Sequence, residues 1–564
     1  MPSLGLGSGS GRGRVWSSLG PIILGSIALQ MSSASGLHES FDAREATIEG
    51  VHNALFTGLT TCREVVSSFI SRIEEFNPTI NAVIGLNPDA LDLADRLDLE
   101  IAAGNTTGKL FCIPVLLKDN YDATPMNTTG SSLALAGNKP AVDGPVVAVM
   151  KREGAIILGK ANLHEMALEG LSVSSLGGQT VNPYDHTRTP GGSSGGTGAA
   201  IAASFAVFGT GTDTVNSLRS PASANNLVSV RPTRGLISRT GVIPVSHTQD
   251  TLGPIARNVN DLAVALTVMG GVGFDAADNA TALAPHNAAG KDYSSELHGG
   301  SLRGIRLGAL DGFWNHTVSS ETTPVIDVMG DMIQLLKSEG VEIINITESI
   351  YNAPEILATL DVQQFEFREL LNGYLARAGS EGTAPASFDD MYSGEKFLVV
   401  PAQYGYISNA SASSTSNGSY ATRQLGIKTL TNALFATFSA HALDAVIYPE
   451  QKNLVVQLGA PSQGGRNGIL AALTGAPVVT VPAGFSPKSG DAPAGVPIGM
   501  EILGLPFTEA RLLNIASHVT RLRQARRMPV FANYSVEARD YAEVPLVRPD
   551  NGNIPAAYPI GVLS

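Results

Sequence analysis

Three short segments contain the residue types that nucleophilic chemistry needs. TPGGSSGGTG places Ser193 and Ser194 inside a run of glycines, and GTDTVNSLRSPA places Ser217 where a glycine-ended strand turns into a helix. Upstream, IPVLLKDN ends an apolar strand with Lys118. A serine hydroxyl is a weak nucleophile until a base removes its proton, and a buried lysine can be that base, because desolvation favours its neutral form. A second serine can relay the proton, so the segments predict a Ser–Ser–Lys arrangement.

Two other interpretations of the glycine loop remain open at this point. A phosphate-binding loop needs either a lysine after the glycines or a GxGxxG turn directly after a strand. No lysine follows these glycines, and Pro190 just before them is a poor end for a strand. A nucleophile elbow, GxSxG, matches with Ser193 as the nucleophile of an α/β-hydrolase-like esterase. The elbow needs a strand before the serine and an Asp and a His after it. No strand pattern precedes Ser193, and the later His247, His441 and His518 lie in no distinctive motif.

Seven segments, in order, resemble the blocks of the amidase signature family. They are IPVLLKDN, TPGGSSGGTGAA, GTDTVNSLRSPA, VRPTRGLIS, DTLGPIARNVNDLA, NGILAALTGAPVVTVPAGF and PIGMEILGLPF, within a similarity that runs from about residue 45 to about residue 530. The resemblance implies an α/β fold, a single α/β/α domain with a large mixed, mostly parallel sheet covered by helices on both faces. It implies hydrolysis of a carboxylic amide to an acid and ammonia or an amine through a serine acyl-enzyme. It also implies Lys118 as the base, Ser193 as the bridging serine in a cis peptide, and Ser217 as the nucleophile.

The chain departs from the family pattern just before Ser217. The commonest pattern there has two glycines, and this sequence has Val215 and Asn216. The resemblance implies an oxyanion hole made by the backbone amides of Thr214, Val215, Asn216 and Ser217, beside Ser193. These main-chain donors survive substitution, but a β-branched valine tolerates a left-handed backbone poorly. We therefore expect Val215 to take an ordinary α or β conformation and the hole to form.

Neighbouring polar residues are expected to support this site structurally. We expect Asp213 to orient the loop through hydrogen bonds and Arg219 to pair with a carboxylate or a carbonyl. Asp250 is expected to be structural as well, and Ser194 is expected to bond either the backbone or the network of Ser193.

Helix and strand patterns alternate along the chain, which favours an α/β domain. CREVVSSFISRIEEF predicts a helix that ends at Asn77-Pro78, LFCIPVLL predicts a buried strand, and GTGAAIAASFA predicts a small-residue helix set deep against other backbone. We expect a leader or signal peptide at 1–36, an amidase domain at 37–545 and a C-terminal tail at 546–564.

Composition narrows the classes of function. The chain has 564 residues and a net charge of −13, and no cluster of basic residues that could bind nucleic acid is visible in the sequence. Its ten histidines show no metal-ligand spacing, and we expect no metal and no cofactor. The two cysteines, Cys62 and Cys112, are expected to be inert packing residues rather than a disulfide or a metal pair.

The N-terminal segment has the order of a secretory signal. Arg12 and Arg14 precede an apolar run from Ile22 to Leu29, and small residues lead to Gly36. The run is too short to span a bilayer. Eight N-x-Ser/Thr sequons fit a secreted glycoprotein, at Asn105, Asn127, Asn279, Asn315, Asn345, Asn409, Asn417 and Asn533. The sequence leaves open both secretion and a cytoplasmic protein with a disordered leader.

The leading hypothesis is a stand-alone amidase that acts on a small or medium-sized amide. One alternative is a glutaminase-type subunit of an amidotransferase complex, and another is a binding-only relative, against which the intact Lys118, Ser193 and Ser217 argue. The expected partner is the small-molecule substrate, without nucleic acid or a stable membrane span. The sequence leaves open the acyl group, the leaving amine and the oligomeric state, a homodimer included.

Overall fold

The computed structural model describes residues 41–298, 300–377, 381–393, 397, 400–530, 538–539 and 562–563. The predicted leader at 1–36, the sequon at Asn533 and most of the predicted C-terminal tail lie outside these residues. The strands are β1 (Val83–Leu86), β2 (Pro114–Lys118), β3 (Gly137–Lys139), β4 (Ile156–Ala161), β5 (Val173–Ser174), β6 (Gly178–Gln179), β7 (Phe208–Asp213), β8 (Val228–Arg231), β9 (Thr251–Ala256), β10 (Arg306–Leu310), β11 (Glu342–Ile346), β12 (Glu381–Thr383), β13 (Ala445–Pro449), β14 (Val478–Phe485), β15 (Pro497–Leu503), β16 (Ala538–Arg539) and β17 (Val562–Leu563).

The helices connect these strands and cover them. They are α1 (Ile48–Phe56), α2 (Cys62–Ile80), α3 (Ala90–Ala102), α4 (Pro145–Arg152), α5 (Gly195–Ala202), α6 (Arg219–Ala224), α7 (Val259–Gly270), α8 (Thr323–Ser338), α9 (Ala353–Leu360), α10 (Gln363–Leu375), α11 (Phe388–Ser393), α12 (Tyr404–Ala412), α13 (Gly418–His441), α14 (Ile469–Thr474) and α15 (Glu509–Arg523). None of the described helices is both long and apolar enough to cross a lipid bilayer.

The main sheet has 11 strands in the order β1-β4-β2-β7-β9-β8-β14-β15-β13-β10-β11. Parallel pairs join β4, β2 and β7 on one side, and β13, β10 and β11 on the other. The remaining pairs are antiparallel. The predicted large mixed sheet is confirmed, with a larger antiparallel share than the resemblance implied. One cause is the short connection between β14 and β15, because such a connection joins antiparallel neighbours.

Helices cover both faces of this sheet, as predicted. In β13, Ala445 and Ile447 belong to one core, whereas Val446 and Tyr448 belong to a second. Successive strand side chains point to opposite faces, so the two cores lie on opposite sides of the sheet. The first core includes residues of α1, α2, α7, α8 and α15, and the second includes residues of α9, α13 and α14.

The helix α2 runs past the predicted stop at Asn77-Pro78. It begins with a capping box between Thr61 and Glu64, and it continues through Pro78 to Ile80. Pro78 removes only one backbone donor, close to the end of the helix, where the chain leaves through Asn81 in a left-handed conformation. The proline therefore removes one hydrogen bond from the last turn of the helix without ending the helix.

The prediction that Cys62 and Cys112 are unpaired packing residues was wrong. They form a disulfide, with a Cα–Cα distance of 5.8 Å across a sequence separation of 50 residues. Both cysteines are buried, as predicted. Cys62 is the first residue of α2 and Cys112 lies just before β2, so only the tertiary fold brings them together.

Candidate active site

Parallel pairing of β2 and β7 sets the position of Lys118. Val115 pairs with Phe208 and Leu116 with Gly209, so the carboxyl ends of both strands reach the same edge of the sheet. The backbone N–H of Lys118 donates to Thr210 Oγ1 at 3.3 Å. The lysine at the end of β2 therefore lies beside the end of β7, from which the chain runs on to Ser217.

The amine of Lys118 makes two hydrogen bonds to hydroxyls. Its Nζ donates to Ser193 Oγ at 2.8 Å and to Thr212 Oγ1 at 2.7 Å. The side chain has 0% exposure. Burial lowers the pKa of Lys118 to about 7, although the negative charges of Asp213 and Asp250 act in the opposite direction and raise it. A large share of the amine is therefore neutral near pH 7, and the neutral amine is the form that can accept a proton.

The glycine loop brings Ser193 to this amine. Gly191 has φ +69, and a Cβ there would lie 2.8 Å from the carbonyl oxygen of Ser220. The Gly192-Ser193 peptide is cis, as the resemblance implied. The carbonyl of Ser193 accepts from the backbone N–H of His164 at 3.0 Å, and Ser194 Oγ donates to the carbonyl of Thr212 at 3.3 Å. The loop is thus tied to the end of β7 and to His164, and it lies close against the start of α6.

The helix α5 after this loop is packed against backbone on several sides, as predicted. All eight of its residues are buried. A Cβ on Gly196 would lie 2.2 Å from the carbonyl oxygen of Asn162, and one on Gly209 of β7 would lie 2.5 Å from Thr197. Small residues therefore let α5 approach β7 closely, and this approach fixes the loop that carries Ser193.

Ser217 lies in the turn between β7 and α6 and is 6% exposed. Within the described part of the chain its hydroxyl makes no hydrogen bond, either to Ser193 or to Lys118. The turn itself is held by Asp213, whose Oδ2 accepts from the backbone N–H of Leu218 at 3.0 Å. The structure thus joins Lys118 to Ser193 directly and places Ser217 in the adjoining turn.

The backbone amides of residues 214–217 are available as donors. None of the four donates a hydrogen bond to a protein group among the described residues. Val215 is not one of the residues with positive φ, as expected, and its carbonyl accepts from Arg219. Thr214 Oγ1 donates to Asp250 Oδ1 at 2.7 Å, so Asp250 holds the turn, as predicted. The segment therefore offers unpaired main-chain donors beside the Ser217 hydroxyl.

A buried ion cluster supports the turn from behind. Arg219 donates to Asp213 at 3.0 Å and to Glu501 at 2.8 Å, and Arg231 donates to Asp213 at 2.6 Å. Burial raises the pKa of Asp213, but the two guanidiniums outweigh it and hold that pKa at about 2. The predicted structural roles of Asp213 and Arg219 agree with these contacts.

Two residues that were not predicted from the sequence, Thr212 and Asn120, belong to the hydrogen-bond network of Lys118. Thr212 accepts from Lys118, and Asn120 Nδ2 donates to the same Thr212 Oγ1 at 3.1 Å. A signal for both was present in the sequence. Asn120 follows Lys118 by two residues, and Thr212 lies at the carboxyl end of the neighbouring glycine-ended strand.

The structure around Ser193 does not match the nucleophile elbow of an α/β-hydrolase. No described strand leads directly into Ser193, because β6 ends at Gln179 and the residues between form turns and bends. Two of the histidines that follow Ser193 in the sequence contact other groups: His441 pairs with Glu348, and His518 contacts Arg521.

Comparison with known proteins agrees with this architecture. The sequence pattern of the amidase family matches residues 64–513. A probable amidase of Arabidopsis thaliana is 32% identical over 528 residues, which cover 90% of this chain and 96% of that protein. One of the subunits of the glutamyl-tRNA(Gln) amidotransferase of Staphylococcus haemolyticus is 31% identical, over 80% of this chain and 92% of its own. The crystal structure of native peptide amidase from Stenotrophomonas maltophilia aligns with a TM-score of 0.75 and 31% identity, over 86% of this chain and 99% of its own. The chain therefore belongs to the amidase signature family and is an amide-hydrolysing enzyme.

Proposed function

We propose that the chain is a stand-alone amidase in which Ser217, Ser193 and Lys118 form the catalytic triad. Ser217 Oγ attacks the carbonyl carbon of a small or medium-sized amide. Its proton passes to Ser193 Oγ, and the proton of Ser193 passes to neutral Lys118. The carbonyl oxygen becomes an oxyanion, which the amides of residues 214–217 receive. These steps use only groups of the chain and the substrate.

The second half of the reaction reverses the proton path. Protonated Lys118 returns its proton through Ser193 to the amide nitrogen, the C–N bond breaks, and ammonia or an amine leaves. An ester then links the acyl group to Ser217. Water attacks this ester and gives a proton to Lys118 along the same path. The bond from the acyl carbon to Ser217 Oγ then breaks, the proton returns through Ser193 to Ser217 Oγ, and the carboxylic acid departs.

One observation carries this proposal: a lysine amine with no exposed surface lies within hydrogen-bonding distance of Ser193. A fully buried lysine without a carboxylate partner is unfavourable unless it is neutral, and a neutral amine is a base. Structural ion pairs also perturb pKa values, but Lys118 forms none with the described residues. Because the amine of Lys118 is hydrogen-bonded to the hydroxyl of Ser193, a role in proton transfer fits this lysine better than a packing role.

Trapping the acyl-enzyme tests the assignment. An activated ester or a slowly hydrolysed amide is mixed with the full chain, and the labelled residue is mapped by peptide mass spectrometry. We expect the acyl group on Ser217. A label on Ser193 would support the esterase elbow and overturn the proposal, and so would full turnover without any acylated serine.

An activity assay on the purified chain alone distinguishes a stand-alone enzyme from a subunit of an amidotransferase. The relative from Staphylococcus haemolyticus is named as one of that enzyme's subunits, whereas the protein from Stenotrophomonas maltophilia is named as a peptide amidase. We expect the purified chain alone to release ammonia or amine from aliphatic, aromatic or peptide amides. Release only from glutamine, and only with added partner subunits, would support the alternative.

We further infer that the chain is secreted and N-glycosylated. Six of the sequon asparagines are exposed, namely Asn105, Asn127, Asn279, Asn345, Asn409 and Asn417, and Asn315 is half-buried. Other asparagines, such as Asn162 and Asn225, are fully buried. The Cys62–Cys112 disulfide fits the same compartment, because disulfides persist in oxidising environments.

Expression of the full chain in a eukaryotic host tests this localisation. We expect protein in the medium that loses mass on treatment with an N-glycosidase and contains no free thiol before reduction. Asn279→Gln should remove one glycan, whereas Asn260→Gln, at an exposed asparagine outside any sequon, should remove none. Retention in the cytosol without glycans and with two free thiols would overturn the inference.

A further inference from the structure

Asn216, at a position where the family pattern has glycine, ties the turn before Ser217 to the centre of the sheet. Its Nδ2 donates to Glu450 Oε1 at 3.0 Å, and the two residues are 1% and 0% exposed. Glu450 directly follows β13, and its own backbone N–H donates to the carbonyl of Gly499 in β15 at 3.1 Å. A side chain of the turn is thereby attached to two central strands, an anchor that a glycine could not provide.

Packing around Asn216 leaves its side chain little freedom. A Cβ on Gly468 would lie 2.3 Å from the carbonyl oxygen of Val215 and 2.4 Å from the Cβ of Asn216. Arg219 holds the same Val215 carbonyl and also donates to the carbonyl of Gly468 at 2.9 Å. The turn is thus clamped at residue 215 by its carbonyl and at residue 216 by its side chain.

The charges around Glu450 favour its neutral form. Three buried carboxyls, of Asp213, Glu450 and Glu501, face two guanidiniums, of Arg219 and Arg231. The described ion pairs go to Asp213 and Glu501, and none goes to Glu450. An ionised Glu450 would therefore be an uncompensated buried charge. Burial, followed by the proximity of Glu501, raises the pKa of Glu450 to about 8.

We propose that Asn216 and Glu450 are positioning residues whose hydrogen bond fixes the direction of the amides of residues 214–217. The proposal rests on the proposed function, because these amides matter only if Ser217 is the attacking nucleophile. Donors that are fixed in advance stabilise the charge that develops in the transition state more than they stabilise the bound substrate. The pair therefore acts on kcat and leaves KM nearly unchanged.

Two substitutions at Glu450 separate hydrogen bonding from charge. Asn216→Ala and Glu450→Ala each break the bond, and we expect kcat to fall by about tenfold to a hundredfold with KM within about twofold. Glu450→Gln keeps an acceptor oxygen without a charge, so we expect kcat to return to within about threefold of the original enzyme. Asn87→Ala is the matched control. This buried amide donates to the carbonyl of Ile157 at 2.8 Å. We expect its loss to lower the free energy of unfolding without lowering kcat.

Mapping the acyl label in each variant distinguishes the two ways in which the proposal can fail. An original enzyme that is never labelled at Ser217 refutes the proposed function itself. A labelled Ser217 together with an unchanged kcat in Asn216→Ala refutes only the positioning role. Equal losses of kcat in Glu450→Gln and Glu450→Ala also refute it. If Asn216→Ala does not fold, Asn216→Gly removes the same bond with less bulk and is expected to show the same loss of kcat.

Discussion

The amine of Lys118 and the hydroxyl of Ser193 lie 2.8 Å apart, and neither residue is exposed to solvent. Lys118 comes from the end of a sheet strand, whereas Ser193 comes from the glycine loop before α5. Two separately anchored segments therefore hold the distance, and neither residue needs to move for a proton to pass between them. The consequences for pH, for the two serines and for the surrounding residues can each be measured.

The pH dependence of turnover should follow the amine of Lys118. Only the neutral amine accepts a proton, so kcat/KM should rise with pH and level off above a midpoint near its pKa of about 7. Lys118→Ala should lower kcat by about a hundredfold or more and remove this limb, with the fold retained by circular dichroism. A flat profile between pH 6 and pH 8, or near-normal turnover in Lys118→Ala, would contradict the assignment.

Stability should respond to the same group with a defined sign. Burial lowers the pKa of Lys118 in the folded chain, whereas the unfolded chain keeps its proton up to about pH 10.4. Between about pH 7 and that value the unfolded state binds more protons, so the contribution of Lys118 to the free energy of unfolding rises with pH. Denaturant titrations at pH 7 and pH 9 measure the difference. Lys118→Met serves as the control and should lack this increment.

The two serines should differ in importance. In the proposed mechanism, Ser217→Ala removes the atom that bonds to carbon and should abolish turnover. Ser193→Ala removes only the proposed relay, whose place a water can take, so a larger residual kcat is expected. Single-turnover kinetics of both variants make the comparison, and Ser194→Ala is the control within the same loop. A Ser193→Ala enzyme that is less active than Ser217→Ala would reverse the assigned roles.

Thr212 should tune the lysine without taking part in the chemistry. Its hydroxyl accepts from both Lys118 and Asn120, and an acceptor near an amine favours the protonated form. Thr212→Val keeps the shape but removes the acceptor, so the rising limb of the pH profile should move to lower pH while kcat falls. Thr212→Ser restores the hydroxyl and should restore both quantities. An unmoved midpoint in Thr212→Val would rule out this role.

The disulfide should contribute to stability and leave the chemistry intact. Closing a loop across 50 residues restricts the unfolded chain by about 4 kcal/mol in the chain-entropy account. The double variant Cys62→Ala/Cys112→Ala should therefore unfold at lower denaturant concentration, while kcat stays near normal below the transition. The original chain treated with reductant should unfold at the same point as the variant. Equal stability of the oxidised and reduced chains would count against the disulfide.

The ordered blocks of the sequence were enough to predict the sheet, the contact of Lys118 with Ser193 and the ordinary backbone of Val215. They were not enough for contacts between distant segments. Glu450 is 234 residues from Asn216, and the pairing of Cys62 with Cys112 depends on how α2 packs beside β2. A local pattern carries no information on such pairs. The predicted end of α2 at Asn77-Pro78 differs from the structure for another reason. The backbone donor that Pro78 lacks falls close to the end of the helix, so its loss does not stop the helix.

The last prediction concerns Val215, the β-branched residue at the other position of the departure from glycine. Because Val215 has no positive φ, Val215→Gly relieves no strain and gives the unfolded chain more freedom, which costs about 0.4–1 kcal/mol of stability. It also removes a side chain that packs against the second core. We expect a lower midpoint of unfolding and a kcat that is unchanged or lower, since the amide donors stay but the turn loosens. Val215→Ala is the control, because it removes most of the same packing and keeps the backbone restricted. The difference between the two variants isolates the backbone effect. A Val215→Gly enzyme that is both more stable and faster would contradict this prediction. It would mean that Val215 strains the turn and holds the proposed oxyanion donors in a less favourable orientation than glycine does.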